Sequence, residues 1–135
     1  MESTSPARAS ADEFMARAQR AFSTRDLDAI IDLFADDVFV VFADFPPMRG
    51  KEQYRAFIEA RLARQLDYRP DTTVRCVDGD VIGASWEATW VDAKTGEAMR
   101  GRGCEFATLR AGRVAELIVS FNAWAERTGP STPII

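Results

Sequence analysis

The chain contains no histidine. Without an imidazole, the Ser-His-Asp triad and the Cys-His pair of nucleophilic catalysis are both excluded. The commonest side-chain ligand of transition metals is missing as well. Proton transfer must therefore rely on carboxylates, tyrosines, lysines or water, and the sequence predicts neither a metal site nor a cofactor.

Cysteine is also scarce, since only Cys76 and Cys104 occur and no CxxC motif is present. Two distant cysteines indicate buried thiols in a reducing compartment rather than a disulfide framework or a zinc site. We expect Cys104 to be a small core residue.

An excess of positive charge and a long apolar run are both lacking. The formal net charge is -4, which argues against a protein that binds nucleic acid by neutralising phosphates. No stretch approaches the roughly 18 apolar residues of a membrane span, and Met1 to Ser10 lack the apolar run of a signal peptide. We therefore expect a cytoplasmic protein that binds neither nucleic acid nor membrane.

The composition is that of an ordinary globular domain. The 135 residues are 47% hydrophobic and 28% charged, enough to bury a core without disulfide or metal support. We predict a flexible tail over residues 1–9, a single domain over residues 10–127 and an irregular tail over residues 128–135.

Three apolar stripes with helical spacing predict three helices. They consist of Phe14, Ala18, Ala21 and Phe22; of Leu27, Ile30, Ile31 and Phe34; and of Tyr54, Phe57, Ile58 and Leu62. Ser10 and Glu13 have the spacing of a capping box and predict the start of the first helix. Asp36-Asp37 ends the second helix, and Gly50 precedes the third. The arginines of the third stretch, at positions 49, 55, 61 and 64, are expected mostly on its solvent side.

The remaining elements read as strands. Residues 38–42 are β-branched and aromatic, whereas 44–48 contain Pro46-Pro47 and predict a loop. From Leu66 onward, apolar and polar residues alternate with a period of two. Strands are predicted over 68–77, 81–91, 99–109 and 114–121, joined by turns at 78–80, 92–97 and 111–112.

Helices placed ahead of consecutive hairpins favour an α+β fold over a doubly wound parallel sheet. A long antiparallel sheet twists and curls, and Gly83, Gly101 and Gly103 would let it bend where side chains would crowd. We predict three N-terminal helices packed in the concave face of a strongly curved antiparallel or mixed sheet. Such a cone leaves a pocket between helices and sheet.

Three short sequence segments resemble the nuclear transport factor 2-like superfamily, in particular its SnoaL-like branch. They are residues 26–37 (DLDAIIDLFADD), 48–57 (MRGKEQYRAF) and 112–122 (GRVAELIVSFN), within a similarity over residues 12–125. The resemblance implies a cone-shaped fold, a homodimer through the sheet and a small apolar or polyketide- or steroid-like ligand. Its members include isomerases, cyclases, an epoxide hydrolase, dehydratases and plain binding proteins, so it implies no single activity.

The family's best-known reactions do not transfer to this sequence. In the ketosteroid isomerase pattern, the base position falls at Phe42 and the tyrosine position at Ala18 or Ala21. The acid position falls at Cys104, or at Glu105 with a turn one residue shorter. The cyclase and dehydratase patterns use histidine. The Asp-Arg-Asp set of the epoxide hydrolase has no counterpart on the predicted strand over residues 81–91.

Two carboxylates are candidate catalytic residues. Glu105 lies in an otherwise apolar strand. If it faces inward, burial should raise its pKa and make it an acid or a hydrogen-bond donor. The alternative is that it faces solvent. Asp44 could close the pocket mouth as a general base, or it could be a plain loop or capping residue.

A larger set of side chains could bind the ligand. We predict contacts from Trp86, Trp90, Phe106, Tyr54, Phe42, Phe14, Arg102 and Asn122. Aromatic faces would suit a flat apolar ligand, and Arg102, with Arg100, could bind a carboxylate. Core packing for the aromatic residues and solvation for the arginines are the alternatives.

Two hypotheses about function follow. The first is a small-molecule-binding SnoaL-like enzyme that isomerises, cyclises or dehydrates its substrate through Glu105 and Asp44. The second is a non-catalytic ligand-binding or dimeric scaffold module that uses the open face of its sheet. The polar set Ser85, Glu87 and Thr89 on that face would make such an interface wet.

Overall fold

The computed structural model describes residues 5–135, and its α+β fold confirms the prediction. The elements are α1 (Pro6–Ser23), α2 (Leu27–Ile31), β1 (Phe34–Phe42), β2 (Met48–Arg49), α3 (Lys51–Arg64), β3 (Gln65–Asp78), β4 (Val81–Asp92), β5 (Ala98–Arg110) and β6 (Arg113–Ala125). Residues 1–4 of the predicted tail lie outside the described residues. In the described part, no helix is both long enough and apolar enough to cross a membrane.

Helix α1 begins earlier than the sequence analysis predicted. Ser5 is its N-cap, and the Ser5 hydroxyl accepts a hydrogen bond of 3.1 Å from the backbone N–H of Arg8. Pro6 occupies the first turn, where its missing N–H costs nothing. Ser10 lies inside the helix, so the predicted capping box at Ser10 is wrong. The Ser5-Pro6 pair is the sequence signal for this helix start.

Strand β1 also begins earlier than predicted, at Phe34 rather than Val38. Phe34 pairs with Val114 of β6, a long-range partner that the local pattern cannot reveal. Met48, the last residue of the predicted loop, and Arg49 form the short strand β2 antiparallel to β1. Asp36 and Asp37 therefore lie within a strand and do not end a helix.

The six strands form one curved mixed sheet in the order β2-β1-β6-β5-β4-β3. The pair β1–β6 is parallel, and the other pairs are antiparallel. The three successive hairpins of β3 to β6 agree with the prediction. Pro70 lies within β3, which is possible because β3 is an edge strand and needs no donor on its free side.

The two faces of the sheet differ in character. The inner face, which carries Ala84, Ala107 and Val119, packs with the helices around the hydrophobic core. Tyr54 and Ile58 of α3 are almost completely buried there. The outer face carries the alternate residues, among them Ser85, Cys104 and Ser120.

The inner-face glycines stand where side chains would crowd, as the sequence suggested. A Cβ atom at Gly101 would lie 2.9 Å from the Trp90 ring. At Gly103 it would lie 2.5 Å from the backbone oxygen of Ser120 and 2.8 Å from the Trp86 ring. Glycine at these positions lets the large tryptophans of β4 lie flat against β5.

The two cysteines are exposed, so the prediction of buried thiols is wrong. Cys104 lies between the inward-facing Gly103 and Glu105, and strand alternation therefore directs its thiol to the outer face. Cys76 follows a register shift between Val74 and Cys76, which places it opposite Gly83 on that same face.

Candidate functional site

A cavity of about 90 Å³ lies between the helices and the inner face of the sheet. Its wall is mostly aromatic and aliphatic, with side chains from α1, β1, α3 and all four long strands of the hairpin region. The aromatic members are Phe14, Phe22, Phe34, Phe42, Tyr54, Tyr68 and Trp86. Among the described wall residues, Arg61 and Glu105 are the two charged side chains.

Glu105 lies in the cavity wall because of the register of β5. Its cross-strand partners are Ala84 of β4 and Val119 of β6, which are both buried on the inner face. Its sequence neighbours Cys104 and Phe106 point to the outer face. Of the two orientations left open by the sequence, the structure has the inward one.

The surroundings of Glu105 change its acidity. Burial raises its pKa from 4.5 to about 7, while the nearby positive charge of Arg61 acts in the opposite direction. The carboxyl group is therefore divided between its acid and base forms near neutral pH. A carboxyl in that state can both accept and return a proton.

Tyr54 and Tyr68 lie close enough to Glu105 for its charge to act on them. Burial raises the pKa of each tyrosine, Arg61 opposes that rise and Glu105 adds to it. Both hydroxyls therefore remain protonated at neutral pH and can donate hydrogen bonds. Tyr54 is held firmly, since only 1% of its surface is exposed.

Arg61 is the site residue that sequence reasoning missed. Its guanidinium lies 5.1 Å from the ring centre of Phe42, 5.2 Å from Tyr68 and 5.6 Å from Phe22. Its Nε atom donates a hydrogen bond of 2.9 Å to Oε1 of Gln65. The sequence predicts the arginines of α3 mostly on its solvent side. Arg61 nevertheless follows Tyr54 at i+7, which places both on one helix face, and that spacing was the available signal.

The predicted site residues fall into two groups. Glu105, Trp86, Tyr54, Phe42 and Phe14 line the cavity. Asp44, Trp90, Phe106, Arg102 and Asn122 lie outside its wall. The residues in the wall remain predicted ligand contacts.

Each residue outside the wall has a structural reason for its position. Asp44 is exposed in the turn after β1, and Trp90 is buried in a separate cluster with Tyr68 and Ala88. The other three point to the outer face through strand alternation. There, Phe106 is 51% exposed, Arg102 lies 5.6 Å from the Trp124 ring and Asn122 donates to Thr132 Oγ1 at 3.2 Å.

Several solved structures share this architecture. A candidate polyketide cyclase from Xanthomonas campestris pv. campestris is 23% identical, with a TM-score of 0.74 over 85% of this chain and 92% of that chain. A candidate SnoaL-like polyketide cyclase from Jannaschia sp. CCS1 is 17% identical, with a TM-score of 0.77 over 90% and 92%. The epoxide hydrolase/cyclase-like enzyme SalBIII is 13% identical, with a TM-score of 0.77 over 87% and 96%. Such identities establish the fold alone.

Sequence comparison identifies the family of this chain. No curated protein matches the chain significantly. The family model of the SnoaL-like domain matches residues 14–117, which span α1 to β6 and include the whole set of polar cavity residues. The chain therefore belongs to the SnoaL-like family of the nuclear transport factor 2-like superfamily.

Proposed function

We propose that this protein binds a small molecule in its inner cavity and catalyses acid–base chemistry on it with Glu105. The observation that carries the proposal is an inward carboxyl group, poised between its two protonation states, in a wall of apolar side chains. The reaction is of the isomerising, cyclising or dehydrating type. The names of the solved relatives, cyclases and an epoxide hydrolase/cyclase-like enzyme, support chemistry of this type.

Different wall residues can perform the successive steps of an isomerisation. The Glu105 carboxylate removes a proton from a carbon beside a carbonyl group, and the electron pair of that C–H bond moves onto the carbonyl oxygen. The hydroxyl of Tyr54 or Tyr68 stabilises the enolate by donating a hydrogen bond to this oxygen. Glu105, now protonated, returns the proton at the same carbon or at a conjugated one. No external reactant is consumed.

The cavity size restricts the ligand. Drug-sized pockets enclose about 300–1,000 Å³, and an engineered core cavity of about 150 Å³ holds one benzene ring. At about 90 Å³, this cavity is smaller than both, so it suits a short branched chain, and a single small ring needs a slight outward shift of the walls. The polyketide- or steroid-like ligand implied by the family resemblance needs a much larger movement.

Cyclopentanone is a suitable probe for this proposal, because it is a small ring with exchangeable protons beside its carbonyl group. We expect it to quench the fluorescence of Trp86 in the wall and to exchange its α-protons in D2O, as followed by NMR. Glu105→Gln should keep the quenching and slow the exchange by about 100-fold or more, the usual share of a general base.

Two tryptophan variants identify the source of the signal. Trp86→Phe should abolish the quenching, whereas Trp90→Phe should leave it, because Trp90 lies outside the cavity wall. Quenching without any exchange would support a non-catalytic binding protein instead. Absence of quenching up to high ketone concentration would reject the cavity as a binding site.

The outer face favours a second candidate function, a homodimeric module. Asp71, Glu87, Arg102 and Asn122 form one cross-strand row on β3 to β6. Glu87 and Arg102 are direct neighbours, but in residues 5–135 neither forms an ion pair. Phe106 and Ile118 on the same face are 51% and 41% exposed. The row is self-complementary, which suits a second copy of this chain.

A two-fold axis parallel to the strands, between β4 and β5, would lay Glu87 of one copy over Arg102 of the other. We expect sedimentation equilibrium to show a homodimer. Arg102→Glu should weaken the dimer at least about tenfold, because like charges then face each other. The double variant Glu87→Arg with Arg102→Glu should restore it, since the charges are merely exchanged.

Arg110→Glu is the matched control. Arg110 is an exposed arginine at the end of β5 that pairs with Asp37, away from this row. Its replacement should leave association unchanged. A monomeric native chain, or a double variant that fails to reassociate although it is folded, would contradict this interface.

A further inference from the structure

Arg61 is a cation in the cavity wall without an anionic partner. Among residues 5–135, no carboxylate forms an ion pair with it, although neighbouring arginines of α3 do pair, Arg55 with Asp28 and Arg64 with Asp92. Its Nε atom donates to Gln65, and a side-chain hydrogen bond also links its guanidinium to the Tyr68 hydroxyl. A guanidinium has five N–H donors, so the remaining Nη donors are available to a ligand.

The protein stabilises this cation without neutralising it. Three ring faces surround the guanidinium of Arg61 at 5.1 to 5.6 Å. Each such contact is a favourable cation–π interaction. The ionised form of Glu105 is the other charge in the described wall, and it acts on Arg61 without forming an ion pair with it. An apolar wall strengthens the attraction of Arg61 for any further anion that enters.

We infer that the cavity binds a small monocyclic or branched carboxylic acid, with its carboxylate on the two Nη atoms of Arg61 and its hydrocarbon part beside Trp86 and Phe42. A guanidinium and a carboxylate match in a planar, two-bond geometry. The inference rests on the proposed function, because it concerns the same cavity, and it adds the ligand's charge and size.

The charges in the cavity also couple the binding of a carboxylate to the uptake of a proton by Glu105. The titratable groups facing Glu105 in the wall are Arg61 and Tyr54 from α3 and Tyr68 from β3. Wall residues from the other elements are uncharged; Gln19 of α1 is an example. A bound anion would neutralise Arg61 and repel the Glu105 carboxylate, so Glu105 should be protonated in the complex.

A matched pair of ligands tests the inference. Cyclopentanecarboxylate and cyclopentanecarboxamide share their ring and shape, but only the first is charged. By titration calorimetry at pH 6.5, we expect the carboxylate to bind at least about tenfold more tightly. Above about pH 7, its affinity should fall up to tenfold per pH unit, whereas in Glu105→Gln it should be independent of pH.

Arginine variants identify the residue that causes the preference for carboxylate over carboxamide. Arg61→Met should reduce the preference for carboxylate over carboxamide to about one, and Arg61→Lys should keep part of it. Arg49→Met is the control, because Arg49 lies 4.3 Å from the Phe39 ring but outside the cavity. The native chain's pH profile remains a valid test even if Arg61→Met does not fold.

The outcomes separate this inference from the proposed function. One outcome is that cyclopentanone binds while the native chain prefers the carboxamide or shows no preference. In that case the inference of an anion site at Arg61 is wrong, and the proposal that the cavity binds a small molecule is retained. If neither the ketone nor the acid binds, both proposals are rejected. If the preference exists but survives Arg61→Met in a folded protein, another cation holds the anion and the inference is overturned.

Discussion

At pH 8, Glu105→Gln is expected to unfold about 10 °C above the native chain. The cause is the buried carboxyl group, whose pKa rises from 4.5 to about 7 on folding. Each pKa unit corresponds to 1.36 kcal/mol, so ionised Glu105 destabilises the fold by about 3 kcal/mol. For 135 residues, that free energy corresponds to about 10 °C in Tm.

The size of the effect depends on pH. Below about pH 4.5, Glu105 is protonated in both the folded and the unfolded chain and costs nothing. Between pH 4.5 and 7, the folded state binds more protons, so the stability of the native chain falls as pH rises. Glutamine has no charge to bury. The two proteins should therefore have similar Tm values near pH 4.5 and diverge until about pH 7.

Thermal unfolding followed by circular dichroism at pH 4.5, 6 and 8 checks this prediction. Glu116→Gln serves as the control, because Glu116 is an exposed carboxyl residue on the neighbouring strand. The Tm of Glu116→Gln should equal that of the native chain at all three pH values. Equal Tm values for native and Glu105→Gln at pH 8 would show that Glu105 is not buried, which would also remove the basis for its acid–base role.

The second large effect is expected for Gly103→Ala, which should destabilise the fold by about 3 kcal/mol. The added methyl group would lie 2.5 Å from the backbone oxygen of Ser120, 2.7 Å from Cβ of Phe121 and 2.8 Å from the Trp86 ring. A side chain can rotate away, but the backbone of the paired strand β6 cannot yield without breaking its ladder.

Urea denaturation measures the loss, and Cys104→Ala is the matched control. Cys104 is the next residue of β5, but its side chain is exposed on the outer face. Its replacement should change the free energy of unfolding by less than about 0.5 kcal/mol. A Gly103→Ala variant as stable as the native chain would mean that the approach of β5, β6 and Trp86 is looser than described.

Much of the architecture could be predicted from local pattern. Period-two alternation with glycine-containing turns predicted the three hairpins, and the crowding at Gly101 and Gly103 was anticipated. The errors occurred where a distant partner decides the structure. Phe34 is a strand residue because Val114 lies beside it, and no local propensity reports such pairing.

The candidate site was predictable only in part. Phe14, Phe42, Tyr54 and Trp86 lie on apolar stripes, which is why the sequence could assign them to the interior. Phe106 was misplaced because aromatic character does not reveal which sheet face a strand residue occupies. When both faces of a strand carry apolar residues, only the register against the neighbouring strands distinguishes them.

The sequence by itself determined the chemistry that is possible: no imidazole, no metal cluster suggested, and carboxylates and tyrosines as the groups for proton transfer. The tertiary structure alone decided which of these groups lie close together. Glu105 of β5 and Arg61 of α3 are far apart in the chain, and they share one wall because α3 packs against the inner face of the curved sheet. Burial, which raises the pKa of Glu105, is a property of that packing and of no single segment.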